Sequence, residues 1–157
     1  MTAAVPNRLA ADLVVRTQQR TSVVINVLLS AAFFVLVFGI VPHPLSLGKP
    51  DGLAADFIPQ SLAIAFFSAF VPALIVSAKR RRGEITGVTP NGVTWSVALV
   101  RALGFAAAAG VFGTFLAFTL PLIVVATSYA AALAAKLVYG GLLGWVVTPA
   151  ATRLVLR

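Results

Sequence analysis

The sequence predicts an all-α membrane protein of four transmembrane helices, folded as two antiparallel hairpins. Three observations carry this prediction. The chain is 60% hydrophobic and only 10% charged. Its apolar residues fall into four blocks, each long enough to cross a bilayer. Its basic residues stand at the edges of those blocks. Soluble proteins average roughly 25% charged residues, and a soluble domain of 157 residues needs a polar skin that this composition does not supply. The mean hydropathy of +1.01 suits a chain whose outer side chains are solvated by lipid.

The first block covers 22–41 and holds no charged residue. About 20 residues at 1.5 Å each match a hydrocarbon core of ~30 Å. Arg16 and Arg20 precede it, and Pro42, His43 and Pro44 end it. The run is longer than the apolar centre of a cleaved signal peptide, so a retained helix is expected, with 1–20 as a cytoplasmic N-terminal segment. The second block covers 57–78. Asp56 is placed to cap it through its carboxylate, Pro59 falls in the first turn where its missing N–H does little harm, and Lys79, Arg80, Arg81 and Arg82 stop it. Positions 79–92 form a connecting loop rich in turn residues from Gly83 onward. The third block covers 95–120, with Trp95 at the interface and Arg101 leaning back to the same side. The fourth apolar stretch opens at Pro121 and exceeds one span. Positions 120–128 read as an outer turn or extended helix end, and 129–150 as the span. The whole of 1–157 is one membrane domain.

Of the 12 lysines and arginines, Arg8, Arg16, Arg20, Lys79, Arg80, Arg81, Arg82, Arg101, Arg153 and Arg157 fall on one side of this arrangement. Basic residues accumulate on the cytoplasmic side, so both termini and the central loop are expected there, in a cell membrane of the bacterial inner-membrane type. The net charge of +8 is then an orientation signal. It does not point to nucleic acid. The Lys79–Arg82 run also suits anionic lipid headgroups.

Sliding the chain against itself by 77 positions aligns Phe38 with Phe115, Pro44 with Pro121, Leu45 with Leu122, Pro72-Ala73 with Pro149-Ala150, and Arg80 with Arg157. Each half is then an out-and-back hairpin, and the pair forms a candidate parallel tandem repeat. Pro72 and Pro149 are expected to kink or end their helices.

Small residues at every fourth position allow helices to approach closely in lipid. Such rows run through Ser61, Ala65, Ala69, Ala73 and Ser77, through Ala102, Ala106, Gly110 and Thr114, and through Ala132, Lys136, Gly140, Gly144 and Thr148. Ser22, Asn26 and Ser30 form a polar row on the first helix.

Lys136 stands out within that fourth-helix row. It precedes Arg153 by 17 residues, or roughly 25 Å of helix, which leaves it close to the outer surface. Two readings follow: its stem reaches the outer headgroups, or it pairs with Asp56. Asn26 suits an interhelical hydrogen bond, Gln60 a link to a neighbour near the outer surface, and His43 a solvated loop position open to a proton-sensing role.

With no cysteine and one histidine, the chain offers no thiolate or histidine-rich metal site, and no cofactor is expected. Its four carboxylates, Asp12, Asp51, Asp56 and Glu84, are divided between the two sides, so no catalytic constellation forms. The expected function is that of a non-enzymatic accessory, assembly or interaction subunit, as a homo-oligomer or with a membrane-protein partner. The alternative is a small oligomeric transporter or channel with Lys136 and Asp56 near its outer mouth.

Overall fold

A computed structural model gives the structure of residues 4–84 and 93–156, with side-chain detail from residue 11 onward. Positions 85–92, Arg157 and the side chain of Arg8 lie outside the described residues. The chain forms four helices, α1 (Ala4–Phe38), α2 (Phe57–Arg81), α3 (Trp95–Ile123) and α4 (Tyr129–Leu156), and two short strands, β1 (Leu45–Ser46) and β2 (Ala126–Thr127). All four helices are long and apolar enough to cross a membrane, as the composition requires of an integral membrane protein.

The first helix differs most from expectation. It begins at Ala4, its apolar span opens at Ala11, and positions 11–21 contain no glycine or proline to break it. The segment preceding position 22 is therefore a continuation of the helix. α1 also ends earlier than position 41, because Gly39 takes a left-handed φ of 77° and donates its N–H to the Val35 carbonyl at 2.9 Å, a glycine C-cap. α3 continues through Pro121 to Ile123, and α2 and α4 extend past positions 78 and 150.

Pro72 and Pro149 do not end their helices. A proline leaves the carbonyl four residues earlier without its helical donor, and in a membrane such a group needs another partner. The Thr148 hydroxyl donates to the carbonyl of Ser68, four residues before Pro72, at 3.2 Å. Gln19 Nε2 donates to the carbonyl of Trp145, four residues before Pro149, at 2.9 Å. Each proline is thus accommodated by a side chain from a neighbouring helix.

The packing order is α1, α4, α2, α3. α2 packs on α3 and α4, and α1 packs on α4, whereas the consecutive pairs α1/α2 and α3/α4 touch only lightly. The two halves interlock, and each helix finds its main neighbour in the other half. Exchanging the halves maps this set of pairs onto itself. α2 and α4 run parallel, and the side-chain hydrogen bonds that join them link residues 75 to 80 positions apart, bracketing the 77-position shift. β1 and β2 pair antiparallel, Leu45 opposite Thr127 and Ser46 opposite Ala126. This pair covers an apolar cluster of Phe34, Leu45, Leu47, Leu53, Ala54 and Ala132 at the end of the bundle opposite the basic residues.

A second cluster fills the middle, where Ala65, Ala69, Ala102, Ala109, Val147 and Ala151 meet Phe66, Phe70, Phe105 and Leu143. At the basic end two arginines close α4. The Arg80 guanidinium, buried, donates to the Val155 carbonyl, and Arg101 Nη1 donates to the Leu154 carbonyl at 2.9 Å. Both satisfy last-turn carbonyls at the negative end of the helix dipole.

Candidate functional site

The charged site sits where the β1/β2 end of the bundle meets α2 and α4. Asp56 precedes α2, but its carboxylate makes no capping hydrogen bond. It accepts a hydrogen bond from Lys136 Nζ at 2.7 Å. The expected cap is replaced by an ion pair. Lys136 belongs to the third turn of α4, and its stem points toward the β1/β2 end of the bundle. Its ammonium ends on Asp56. The lysine side chain is 2% exposed and the aspartate 17%, so the two ends of the pair stand in different surroundings. Phe57 lies against the ammonium, with Nζ 3.9 Å from its ring centroid, a cation–π contact that supplies further attraction to the buried charge.

Gln60, one turn into α2, ties the pair to α1. Its Nε2 donates to Ser30 Oγ at 2.9 Å and to the Lys136 carbonyl at 3.2 Å. Its Oε1 is buried and has no hydrogen-bond partner among the described residues. Beside it, Ser61 Oγ donates to the Phe57 carbonyl at 2.5 Å and shares a 2.5 Å hydrogen bond with Tyr139 Oη. The Tyr139 ring stacks on Phe112 of α3 and meets Phe57 edge-on. Residues from all four helices therefore converge around the ion pair.

A second polar knot lies deeper. Asn26 Nδ2 donates to Ser68 Oγ at 2.7 Å and to Ser22 Oγ at 3.1 Å. Ser22 Oγ donates in turn to Ser68 Oγ at 3.3 Å and accepts from Thr148 Oγ1 at 2.7 Å. All four are buried. The glycines of α4 make room for the polar row of α1. A Cβ at Gly144 would collide with the Asn26 amide, and one at Gly140 with Ser30 Oγ. Gly110 serves the α2/α3 contact, since a Cβ there would come within 2.6 Å of Leu62 Cδ2.

The remaining sequence candidates lie elsewhere. His43 is exposed, with Nδ1 3.0 Å from the Val41 carbonyl and its ring 6.3 Å from that of Tyr129, and it does not join the ion pair. Of the basic run, Arg80 turns into the bundle, Arg81 donates to the Val93 carbonyl at 3.4 Å, and Arg82 lies 3.8 Å from Glu84. Among the described residues no group of three metal-ligating side chains converges. Thr148, Ser68, Gln19 and Tyr139 were not singled out from the sequence as functional positions. Thr148 shares the Lys136 row, and Ser68 stands four residues before Pro72. That second spacing is a usable signal for an orphan carbonyl in need of a donor.

No known family matches the chain, and comparison with curated proteins and with solved structures finds no match.

Proposed function

We propose that the protein is a non-enzymatic membrane subunit whose bundle is closed by its own polar side chains and whose outer face on α3 receives another transmembrane helix. One observation carries this reading. α3 buries one narrow stripe of small residues, Ala98, Ala102, Ala106, Ala109, Gly110 and Gly113, and turns Val97, Val100, Leu103, Val111, Phe115 and Phe118 outward. Gly104 and Ala108 interrupt that outer face at a four-residue spacing. Among the described residues nothing lies within 4 Å of a Cβ placed at Gly104, so their packing has no use for a glycine there. A helix-interior glycine costs about 1 kcal/mol relative to alanine, and close approach by a second helix offsets that cost. The pairing of Lys136 with Asp56, and of Asn26 with Ser68 and Ser22, commits those groups to holding the bundle.

In this reading the basic end, with Arg16, Arg20, Lys79, Arg81, Arg82 and Arg153, faces the cytoplasm by the positive-inside rule, in a bacterial inner membrane. The test is stoichiometry in mild detergent. The wild-type chain is expected in a fixed complex, with a second copy or a partner, that Gly104→Phe and Ala108→Phe both dissociate and Leu36→Phe on α1 leaves intact. A monodisperse monomer that is unchanged by all three substitutions would overturn the proposal.

The ion pair favours a second reading, a small transporter, because an ionisable pair inside a membrane commonly marks a pathway. Flux in proteoliposomes that Lys136→Leu abolishes would move the assignment to this reading.

A further inference from the structure

α1 and α2 are consecutive in the chain yet touch only lightly. Toward the basic end a lateral groove separates them, with about 420 Å³ of free space counting its open mouth. Its walls are Ile25 from α1 and Phe67, Val71 and Ile75 from α2. Its floor is the polar knot of Ser22, Asn26 and Ser68, whose groups are already bonded to one another. The wall is thus apolar where it meets the membrane, and an apolar occupant leaves no polar group newly unsatisfied. A helix, ~10 Å across with its side chains, does not fit a groove of this size, whereas a single hydrocarbon chain does.

The charge around the groove selects among lipids. Along α2 the stripe Phe67, Val71, Ile75 continues at helical spacing to Lys79 and Arg82. On α1, Gln18 and Thr21 line the groove, and the exposed Arg16 and Arg20, two positions before and after Gln18, lie on the opposite face of the helix at the same level. The acids at this end are Asp12 and Glu84, the latter 3.8 Å from Arg82, so the local balance is strongly positive. From Phe67 to Ile75 the helix rises ~12 Å, and Arg82 lies ~10 Å beyond. That span matches a chain in one leaflet of a ~30 Å core with its headgroup at the basic residues.

We infer that the α1/α2 groove is a binding site for an anionic glycerophospholipid, one acyl chain lying along Ile25, Phe67, Val71 and Ile75 and the phosphate meeting Lys79 and Arg82. The basic run then serves recognition as well as orientation.

The protein is purified in mild detergent, supplied with mixed micelles containing either phosphatidylglycerol or phosphatidylcholine, and weighed by native mass spectrometry with bound lipid counted. Wild type is expected to retain one phosphatidylglycerol in at least tenfold preference over phosphatidylcholine. Lys79→Gln combined with Arg82→Gln removes the preference. Val71→Trp fills the groove from an already exposed position and removes the bound lipid of either kind. Arg153→Gln, at the same end but off the groove, leaves both unchanged. Equal retention of the two lipids by wild type overturns the inference, as does an equal loss with Arg153→Gln. Retention undiminished by Val71→Trp also overturns it, and this variant keeps every basic residue.

Discussion

The α1/α4 and α2/α3 interfaces occupy equivalent places in the bundle, since exchanging the two halves turns one into the other, but they are built from different chemistry. α1 meets α4 through Ser22, Asn26 and Ser30, seated on Gly140, Gly144 and Thr148. α2 meets α3 mainly through alanines, Ala65 and Ala69 against Ala102 and Ala109, with Gly110 and Gly113 allowing close approach. In lipid no hydrophobic force distinguishes one apolar helix face from another, so association rests on close packing and polar links. One interface uses both devices and the other almost only the first. The polar interface fixes register, because a one-turn slip parts Thr148 from Ser22 and Gln19 from the Trp145 carbonyl. The alanine interface tolerates a slip at little cost. The parallel α2/α4 seam, with its ion pair, joins the two.

The largest effect is expected at that seam, and it is asymmetric. Asp56→Leu leaves the Lys136 ammonium buried without a counter-ion and should lower stability by about 3–5 kcal/mol. Lys136→Leu leaves the more exposed Asp56 and should cost roughly 1 kcal/mol. Reversible unfolding in mixed micelles reads both values, and equal losses would break the account of the pair.

Next come the glycines. Gly144→Leu and Gly113→Leu should each destabilise by about 3 kcal/mol through overpacking, one in each interface. Asn26→Ala should relieve much of the first, because the clash is with the Asn26 side chain. Ser61→Ala should not relieve the second, because a Cβ at Gly113 also meets the Phe57 carbonyl at 2.7 Å. Parallel rescue in both pairs would erase the difference between the interfaces.

Thr148→Val should cost about 1 kcal/mol, and less in a Pro72→Ala background, where the restored backbone N–H satisfies the Ser68 carbonyl. A double-mutant cycle measures that coupling. The smallest effect belongs to Tyr139→Phe, which removes the hydroxyl link to Ser61 and should cost about 0.6 kcal/mol.

Several of these positions were legible in the sequence. Lys136, Gly140, Gly144 and the Ser22/Asn26/Ser30 row followed from charge and helical spacing. The partners of Asn26 did not, because a four-residue row states which side of a helix is small or polar and leaves open which helix faces it. Asp56 shows the same limit. Its position before a helix suits an N-cap, but a buried ammonium within reach draws the carboxylate more strongly than amide protons do. The β1/β2 pair was also not legible, since two-residue strands carry no periodicity. It forms because the interlocked halves bring the α1/α2 and α3/α4 connections side by side.

The sequence by itself determined the number of spans and the clustering of basic residues at one end. It also supplied the 77-position correspondence between the halves. These follow from apolar length, charge placement and residue spacing, all of which are read along the chain. Tertiary structure decided that the halves interlock, that both prolines stay within continuous helices, and that Lys136 ends on Asp56. Each of those outcomes depends on a donor or acceptor supplied from a distant part of the chain, and in a membrane an unmet backbone or charged group has no water to turn to.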